Sequence, residues 1–277
     1  MNLSFEVFPP KKDGSFDTAF EVVERLAEYQ PQFISVTYGA GGSKSKKTLE
    51  IASHIHNECR TMAVAHLTCV GNTRSEIVER CRELEAHNVM HVLALRGDRP
   101  KDMPDEQYNA REFIYATDLI RFIRENSGLH VMAACYPEKH FEAPSMEADL
   151  AVMKEKQELG VEEYISQMFF DNRLFYDFLE KARAIGITKP IHAGIMPLTS
   201  AKQLGTSVSL SGSSVPKALS DLIAAYAENP EDMYQAGIEY AAAQIADLRE
   251  HGVDGVHIYT MNKPKVVGDI LRILGGE

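Results

Sequence analysis

The chain predicts an α/β fold, a TIM (β/α)8 barrel built as a single domain over residues 1–277. Three observations carry that expectation. Eight short apolar runs, rich in β-branched and aromatic residues, recur along the whole length. Stretches with apolar residues at three- and four-residue spacing separate them. Each run breaks into polar or charged residues at or near its carboxyl end. Alternating strand and helix implies parallel pairing through right-handed crossovers, and eight such units can close on themselves. An open doubly wound sheet would use the same alternation, but it calls for a Gly-x-Gly-x-x-Gly fingerprint. Gly39-Ala40-Gly41-Gly42 follows a strand with the wrong spacing and is not a Walker loop either.

The expected strands cover residues 3–8, 33–38, 62–69, 91–95, 130–136, 164–170, 191–196 and 256–261. They read as continuous apolar runs because a parallel strand is buried on both faces. The helix over 16–29 places Phe16, Phe20, Val23, Leu26 and Ala27 on one face, and that over 73–87 places Ile77, Val78, Cys81 and Leu84 opposite its charges. Residues 118–126, 146–159, 174–185, 215–226 and 230–249 follow the same spacing. His54 and His56 fall on a further helix, where they read as surface residues, and Lys44, Lys46 and Lys47 read as its solvated start rather than a phosphate site. Gly160, Gly186 and Gly252 stand just past helix ends, where a left-handed residue is needed.

Composition narrows the function. The chain is 44% hydrophobic and carries a net charge of −11, with no long basic run. Nucleic acid and anionic membranes are therefore poor partners. The N-terminus shows no signal-peptide pattern and no apolar run reaches membrane length, so a cytoplasmic protein is expected. Cys59, Cys69, Cys81 and Cys135 form no Cys-x-x-Cys pair and fit no zinc spacing, so they read as free thiols in a reducing compartment.

In a barrel the carboxyl ends of all strands face one mouth, where active sites sit. The polar residues at those ends are Glu6; Thr37 and Tyr38; His66 and Thr68; Arg96 and Asp98; Tyr136, Glu138 and His140; Gln167 and Asp171; Gln203; and Tyr259, Asn262 and Lys263. The sharpest such break is Leu93-Ala94-Leu95-Arg96-Gly97-Asp98, where Gly97 lets the backbone approach a ligand. Glu6 lies inside the apolar stretch before Pro9-Pro10, a setting that raises a carboxyl pKa and suits a general acid. Structural roles compete with these readings. Glu6 could pair with a buried Lys or Arg, Asp98 could cap a helix, and His66 could be a satisfied core histidine.

The chain resembles the methylenetetrahydrofolate reductase family over nearly its whole length. The resemblance rests on Ser4-Phe5-Glu6-Val7-Phe8-Pro9-Pro10-Lys11, Val36-Thr37-Tyr38-Gly39-Ala40, Ala65-His66-Leu67-Thr68-Cys69 and Leu93 through Asp98. It continues in Ala134-Cys135-Tyr136-Pro137-Glu138 with His140, Gln167-Met168-Phe169-Phe170-Asp171, Gly194-Ile195-Met196-Pro197 and Tyr259-Thr260-Met261-Asn262. It implies a TIM barrel that uses FAD to reduce 5,10-methylenetetrahydrofolate to 5-methyltetrahydrofolate, with NAD(P)H as electron donor. It also implies roles. Glu6 is the acid, Asp98 is the carboxylate beside the cationic folate intermediate and touches the flavin, and Gln167 serves folate and nicotinamide in turn. Gln203, Tyr259 and Lys263 contact substrate. Thr37, Tyr38, Ala40, His66, Arg96, Gly97, Asp98, Ala116, Tyr136, His140, Ala143, Asp149 and Lys156 hold FAD. Family members are often dimers or tetramers, so a homo-oligomer is expected.

Three departures accompany the resemblance. Val152 and Glu155 stand where bacterial members carry Asn and Arg, which implies a different hold on the adenine end of FAD. Residues 192–216 contain no Phe, Tyr or Trp, and Ser207 is nearest the position of a stacking ring in those members. Lys263 replaces an Arg and loses its two-pronged fork. Two alternatives follow: a barrel that takes electrons from a partner protein subunit, and a folate-binding barrel with weak or lost FAD binding.

Overall fold

The structure is a computed structural model and describes residues 1–10, 16–38, 42–100 and 102–275, without the side chains of 42–45 and 210. The glycine-rich residues 39–41 and Lys11 lie outside the described residues, as does the Lys44 side chain. The strands are β1 (Asn2–Val7), β2 (Phe33–Val36), β3 (Met62–Thr68), β4 (His91–Leu95), β5 (His130–Cys135), β6 (Glu163–Ser166), β7 (Ile191–Ile195) and β8 (Gly255–Tyr259). They form a closed parallel barrel in chain order. The closing pair is β1 with β8, in the register Asn2↔Gly255 through Glu6↔Tyr259. An open sheet would leave both of those strands as edges, so that alternative is excluded.

The helices are α1 (Phe16–Ala27), α2 (Gly42–Asn57), α3 (Arg74–Ala86), α4 (Asp105–Asn109), α5 (Ala116–Asn126), α6 (Met146–Glu158), α7 (Asn172–Ala184), α8 (Ala201–Ser211), α9 (Lys217–Tyr226), α10 (Pro230–Glu250) and α11 (Pro264–Gly275). Their starts follow from local chemistry. Thr73 and Glu76 form a reciprocal capping box at α3, Ser145 caps α6, Asp171 caps α7, and Asn229 caps α10 with Pro230 in its first turn. Gly160, Gly186 and Gly252 have φ of 98°, 83° and 67°, as their places past helix ends require. No helix among the described residues is long and apolar enough to cross a membrane.

The main core lies between the sheet and the helix ring, with Phe5, Leu26, Ile120, Tyr164 and Ile258 fully buried. A smaller cluster of Phe33, Val64, Leu93, Met132 and Ile165 fills the barrel interior. Its amino-terminal end is polar. His257 bonds Ser4 Oγ through Nδ1 at 2.8 Å and Ser35 Oγ through Nε2 at 3.3 Å. His192 Nε2 meets Glu163 Oε2 at 2.6 Å. Gly255 is fixed by this packing, since a Cβ there would stand 2.4 Å from His192 Nδ1.

Several elements depart from the expected bounds. The sixth strand stops at Ser166 rather than running to residue 170. Gln167 turns away because its side-chain Oε1 accepts the Met168 N–H at 2.9 Å. Phe169 and Phe170, which prolong the apolar run in the sequence, then pack among the helices and loops beyond the sheet. Among the described side chains of α8, only Leu204 and Val208 pack on an apolar cluster, so its periodicity is nearly silent. His54 is not a surface residue. It is half-buried, stacked on Phe20 at 4.2 Å and bonded to Glu24 at 2.9 Å. The solvated basic run holds for exposed Lys46 but not for Lys47, which donates to the Pro10 carbonyl at 3.3 Å.

Candidate active site

A cavity of about 380 Å³ opens at the carboxyl end of the barrel and is lined by Glu6, Thr37, His66, Arg96, Gly97, Asp98, Tyr136, His140, Gln167 and Tyr259, among others. Each lining residue arrives on a strand end. The β3–β4 pairing continues past the strands, with Cys69 N–H on the Leu95 carbonyl at 3.1 Å and Val70 N–H on the Arg96 carbonyl at 2.8 Å. Gly97 then turns with φ 81°, and a Cβ there would stand 2.8 Å from Val70 Cγ1. Only glycine fits that turn, which delivers Asp98 to the rim.

Glu6 sits at the floor with 21% of its side chain exposed. Its nearest ionisable partner is the buried His66, whose Nε2 lies 3.6 Å from Glu6 Oε2 and has no hydrogen-bond partner. Burial pushes the Glu6 carboxyl up to about 8 and pulls His66 down to about 3. Both groups are therefore uncharged near neutral pH. A charged pair would be the alternative at this distance, but two desolvation costs oppose it. The expected rival role for Glu6, pairing with a buried Lys or Arg, is not what the structure shows. Tyr259 projects from β8 and donates its hydroxyl to the Ser166 carbonyl at 2.7 Å, and burial pushes its pKa well above the usual phenol value. Gly194 makes room for it: a Cβ there would meet the Tyr259 ring at 3.0 Å. Gln167 leaves β6 with its N–H on the Cys135 carbonyl at 2.8 Å.

A second cavity, also about 380 Å³, continues outward from the first and shares Arg96, Tyr136 and His140 with it. Ala116, Ala143, Asp149, Val152, Glu155 and Lys156 are among the rest of its lining. Arg96 forms a two-pronged ion pair with Glu142. Lys156 is buried, donates to the Ala134 carbonyl at 2.9 Å, and is held below the usual lysine range by desolvation. Asp149 accepts the His140 N–H at 2.9 Å and so fixes the turn that carries Tyr136 and His140. Glu155 faces Arg121 at 3.5 Å. A third recess of about 410 Å³ lies beside the mouth and takes in Thr37, Tyr38, Thr68 and Asp98.

Of the residues to which the resemblance assigns a catalytic, substrate or FAD role, the structure places all but three around these cavities. Ala40 lies outside the described residues. Gln203 and Lys263 meet above the mouth rather than in its lining. Gln203 Oε1 accepts the Thr199 N–H at 3.0 Å and its Nε2 donates to the Pro197 carbonyl at 3.0 Å, while Lys263 Nζ lies 3.5 Å from Thr199 Oγ1. Ser207, on the buried side of α8, is 4% exposed and lines neither cavity. Asp171 caps α7 and pairs with Arg173, so it is a structural residue. Glu138 accepts the Ser214 N–H at 3.0 Å and ties the segment after α8 to the β5 turn. Asp98 caps no helix. Sequence reasoning passed over Ser166 and Thr260. Ser166 Oγ accepts the Gly194 N–H at 2.9 Å, and Thr260 Oγ1 donates to the Glu6 carbonyl at 2.7 Å. Small hydroxyl residues at strand ends were the available signal.

Comparison with known proteins agrees with this geometry. The family model described as methylenetetrahydrofolate reductase matches residues 1–275. A 5,10-methylenetetrahydrofolate reductase of Pectobacterium carotovorum is 31% identical, over 99% of this chain and 90% of that protein. The Escherichia coli (strain K12) protein of the same description is 30% identical, over 99% of this chain and 91% of its own length. The chain spans 48% of the Arabidopsis thaliana methylenetetrahydrofolate reductase (NADH) 1, at 34% identity. Among solved structures, a Clostridium thermocellum protein described as binding two copies of 5-methyl-5,6,7,8-tetrahydrofolic acid shares the fold. Its TM-score is 0.67 at 15% identity, covering 99% of this chain and 93% of that one. With a family model matched over residues 1–275 and relatives about 30% identical over nearly the whole length of both chains, the chain belongs to the methylenetetrahydrofolate reductase family of oxidoreductases.

Proposed function

We propose that the chain reduces 5,10-methylenetetrahydrofolate to 5-methyltetrahydrofolate with FAD as hydride carrier and NAD(P)H as electron donor. The observation that carries this reading is the half-buried Glu6 carboxyl, whose pKa burial raises, in one cavity with Asp98, Gln167 and Tyr259. The methylene bridge must open before it can be reduced, and opening requires a proton on a nitrogen of the bridged ring. Glu6 holds a proton at Oε near neutral pH and delivers it there. The opened iminium is cationic, and the Asp98 carboxylate on the rim stabilises that charge as it develops. Gln167 orients the pterin, and the Tyr259 ring walls the cavity against water.

The residues present fit FAD. Two joined cavities give an elongated cleft, the buried His66 Nε2 offers an unmatched polar atom in the mouth, and Arg96, paired with Glu142, and the buried Lys156 place N–H donors along the outer half. FAD, when bound, supplies the hydride. Thr37, Tyr38, His66, Gly97 and Asp98 would surround its reactive end. Ala116, Tyr136, His140, Ala143 and Asp149 would line the remainder.

The test is a visible spectrum of the purified protein, followed by anaerobic NADH and then the folate. Flavin bands that bleach with NADH and return with methylenetetrahydrofolate support the reading. Protein that stays colourless after excess FAD overturns it. The lack of any aromatic residue over 192–216 favours one second reading, in which electrons arrive from a partner protein. Flavin bands that ignore NADH but respond to dithionite and then to the folate would select it.

A further inference from the structure

We propose that Asn262, together with Thr260, is a positioning residue that fixes Glu6 in the barrel mouth by clamping the backbone at the end of β1. The β1–β8 ladder ends at the pair Glu6↔Tyr259. Beyond it, the Glu6 carbonyl accepts two hydrogen bonds from Thr260, from N–H at 3.3 Å and from Oγ1 at 2.7 Å. The chain then turns through Met261 and Asn262, at φ 52° and 55°. Two successive non-glycine residues in that region are uncommon, and such conformations persist only where their surroundings enforce them.

The turn swings the Asn262 side chain over Phe8. Its Oδ1 accepts the Phe8 N–H at 3.0 Å, and its Nδ2 donates to the Phe8 carbonyl at 2.8 Å. The Asn262 N–H donates to Thr260 Oγ1 at 3.1 Å, so that hydroxyl is both donor and acceptor. One carboxamide thus does for Phe8 what a neighbouring strand would do, and adds a rung where the backbone ladder has ended. The next two residues are prolines, which have no N–H to offer in its place. On the other side, Thr37 N–H holds the Val7 carbonyl at 2.9 Å. Glu6 is therefore held on both flanks by strand ends, and the β8 side depends on two side chains.

That restraint bears on the acid because Glu6 keeps its proton only while its surroundings stay dry and fixed. His66 faces it from β3 and Tyr259 from β8. Arg96 and Asp98 stand around the same cavity at the end of β4, and Tyr136 and His140 at the end of β5. The segment just past β2 contributes the uncharged Thr37. Phe8 and Met261, the residues held by the clamp and by the strained turn, themselves line the cavity. Freeing Phe8 would let the end of β1 move and admit water to the carboxyl. Desolvation is what raises its pKa, so water would lower it.

The inference rests on the reading of Glu6 as the acid, and its test separates the two. Asn262→Gly removes the clamp without adding strain, because glycine is at home at positive φ. Protein labelled with 13C at glutamate carboxyls gives the Glu6 titration by NMR, with Glu6→Gln identifying the signal and no folate required. In Asn262→Gly the Glu6 midpoint is expected to fall by about one pH unit or more. In stopped flow, kcat of the folate step is expected to fall by about tenfold or more, with KM little changed. Asn262→Asp, which keeps an acceptor but loses the donor, should fall between. Thr260→Ser and Thr260→Val form a second pair, in which only the valine variant should shift the titration. An unshifted Glu6 midpoint in both Asn262→Gly and Thr260→Val overturns the proposal. If Glu6→Gln reduces the folate normally, the acid role itself is wrong, and the titration still decides whether Asn262 holds the carboxyl.

Discussion

The chemistry at the scale of single residues turns on which of two costs wins at Glu6. Passing the Glu6 proton to His66 would place two charges 3.6 Å apart in a site that is mostly shut off from water. Keeping both neutral removes that desolvation cost, and the carboxyl rises to about 8 while the imidazole falls to about 3. A glutamic acid that is protonated near neutral pH is the form a general acid needs. Glu6→Gln keeps the shape and removes the proton, so the folate step should slow by about 10²–10⁴-fold, while bleaching of the flavin by NADH, which needs no acid, should stay within severalfold. Stopped-flow absorbance of the two half-reactions separates them, and equal slowing of both would remove the acid assignment. Asp98 is different in kind, because it sits exposed on the rim and lines both the mouth and the side recess. Asp98→Asn should slow the folate step by about 10–10³-fold through lost stabilisation of the cation, and should also alter the rate of flavin reduction. A variant with both rates unchanged would exclude Asp98 from the site.

At the scale of elements, local preference and tertiary contact disagree in informative places. Gly237 lies inside α10, where Ala would ordinarily favour the helix by about 1 kcal/mol. Here a Cβ would stand 1.8 Å from the Leu198 carbonyl oxygen, so the helix and the β7–α8 connection touch backbone to backbone. The contact outweighs the propensity. Gly237→Ala should destabilise the protein by about 2 kcal/mol and disturb the Thr199–Gln203 bonds, which a lowered thermal midpoint and a raised folate KM would register. An unchanged midpoint would mean that the connection relaxes freely. The same contest decides what the sequence reveals. Strand positions were legible because both faces of each strand are buried and every run is apolar. The end of β6 was not, because the apolar run continues through Phe169 and Phe170 after the backbone has left the sheet. Helix α8 was not, because its sequence is mostly small and polar and, among its described side chains, only Leu204 and Val208 face an apolar cluster. Glu6, Arg96, Asp98 and Gln167 were legible as polar breaks in apolar runs. Gln203 and Lys263 were legible as polar residues near strand ends, but pattern alone could not show that they bond the Thr199 turn instead of lining the cavity. Thr260 escaped notice because its work is done by a hydroxyl on a backbone carbonyl, which leaves no periodic trace.

For the whole molecule, the neutral groups within the barrel set a pH profile with opposing limbs. His66 and His257 are buried and their pKa values are lowered by desolvation, whereas an unfolded chain exposes both at about 6.5. Below that value the unfolded state binds more protons, so stability falls as pH drops. Glu6 acts in the other direction. Its folded pKa of about 8 exceeds the ordinary 4.5, so the folded state binds the extra proton between those values and stability is lost as pH rises through them. Below about 6.5 the two histidines outweigh the one glutamate and stability still climbs with pH, and above it only the Glu6 effect remains, so together they place the stability maximum near the unfolded histidine value. Glu6→Gln removes only the alkaline limb. With Glu6 partly open to the cavity, its contribution is on the order of 3 kcal/mol once the carboxyl is forced to ionise. The variant should therefore melt several degrees above the wild type at pH 9, match it near pH 5, and lose stability in parallel with it below pH 5 as the histidines charge. Thermal melts across that range read all three regions. A variant that tracks the wild type at pH 9 would mean that Glu6 is ionised there without cost, and that the mouth is wetter than a buried acid requires. A gain in stability on removing the acid has a direct physical meaning: the barrel tolerates a destabilised carboxyl at its mouth because the protonated form is the one the folate step uses.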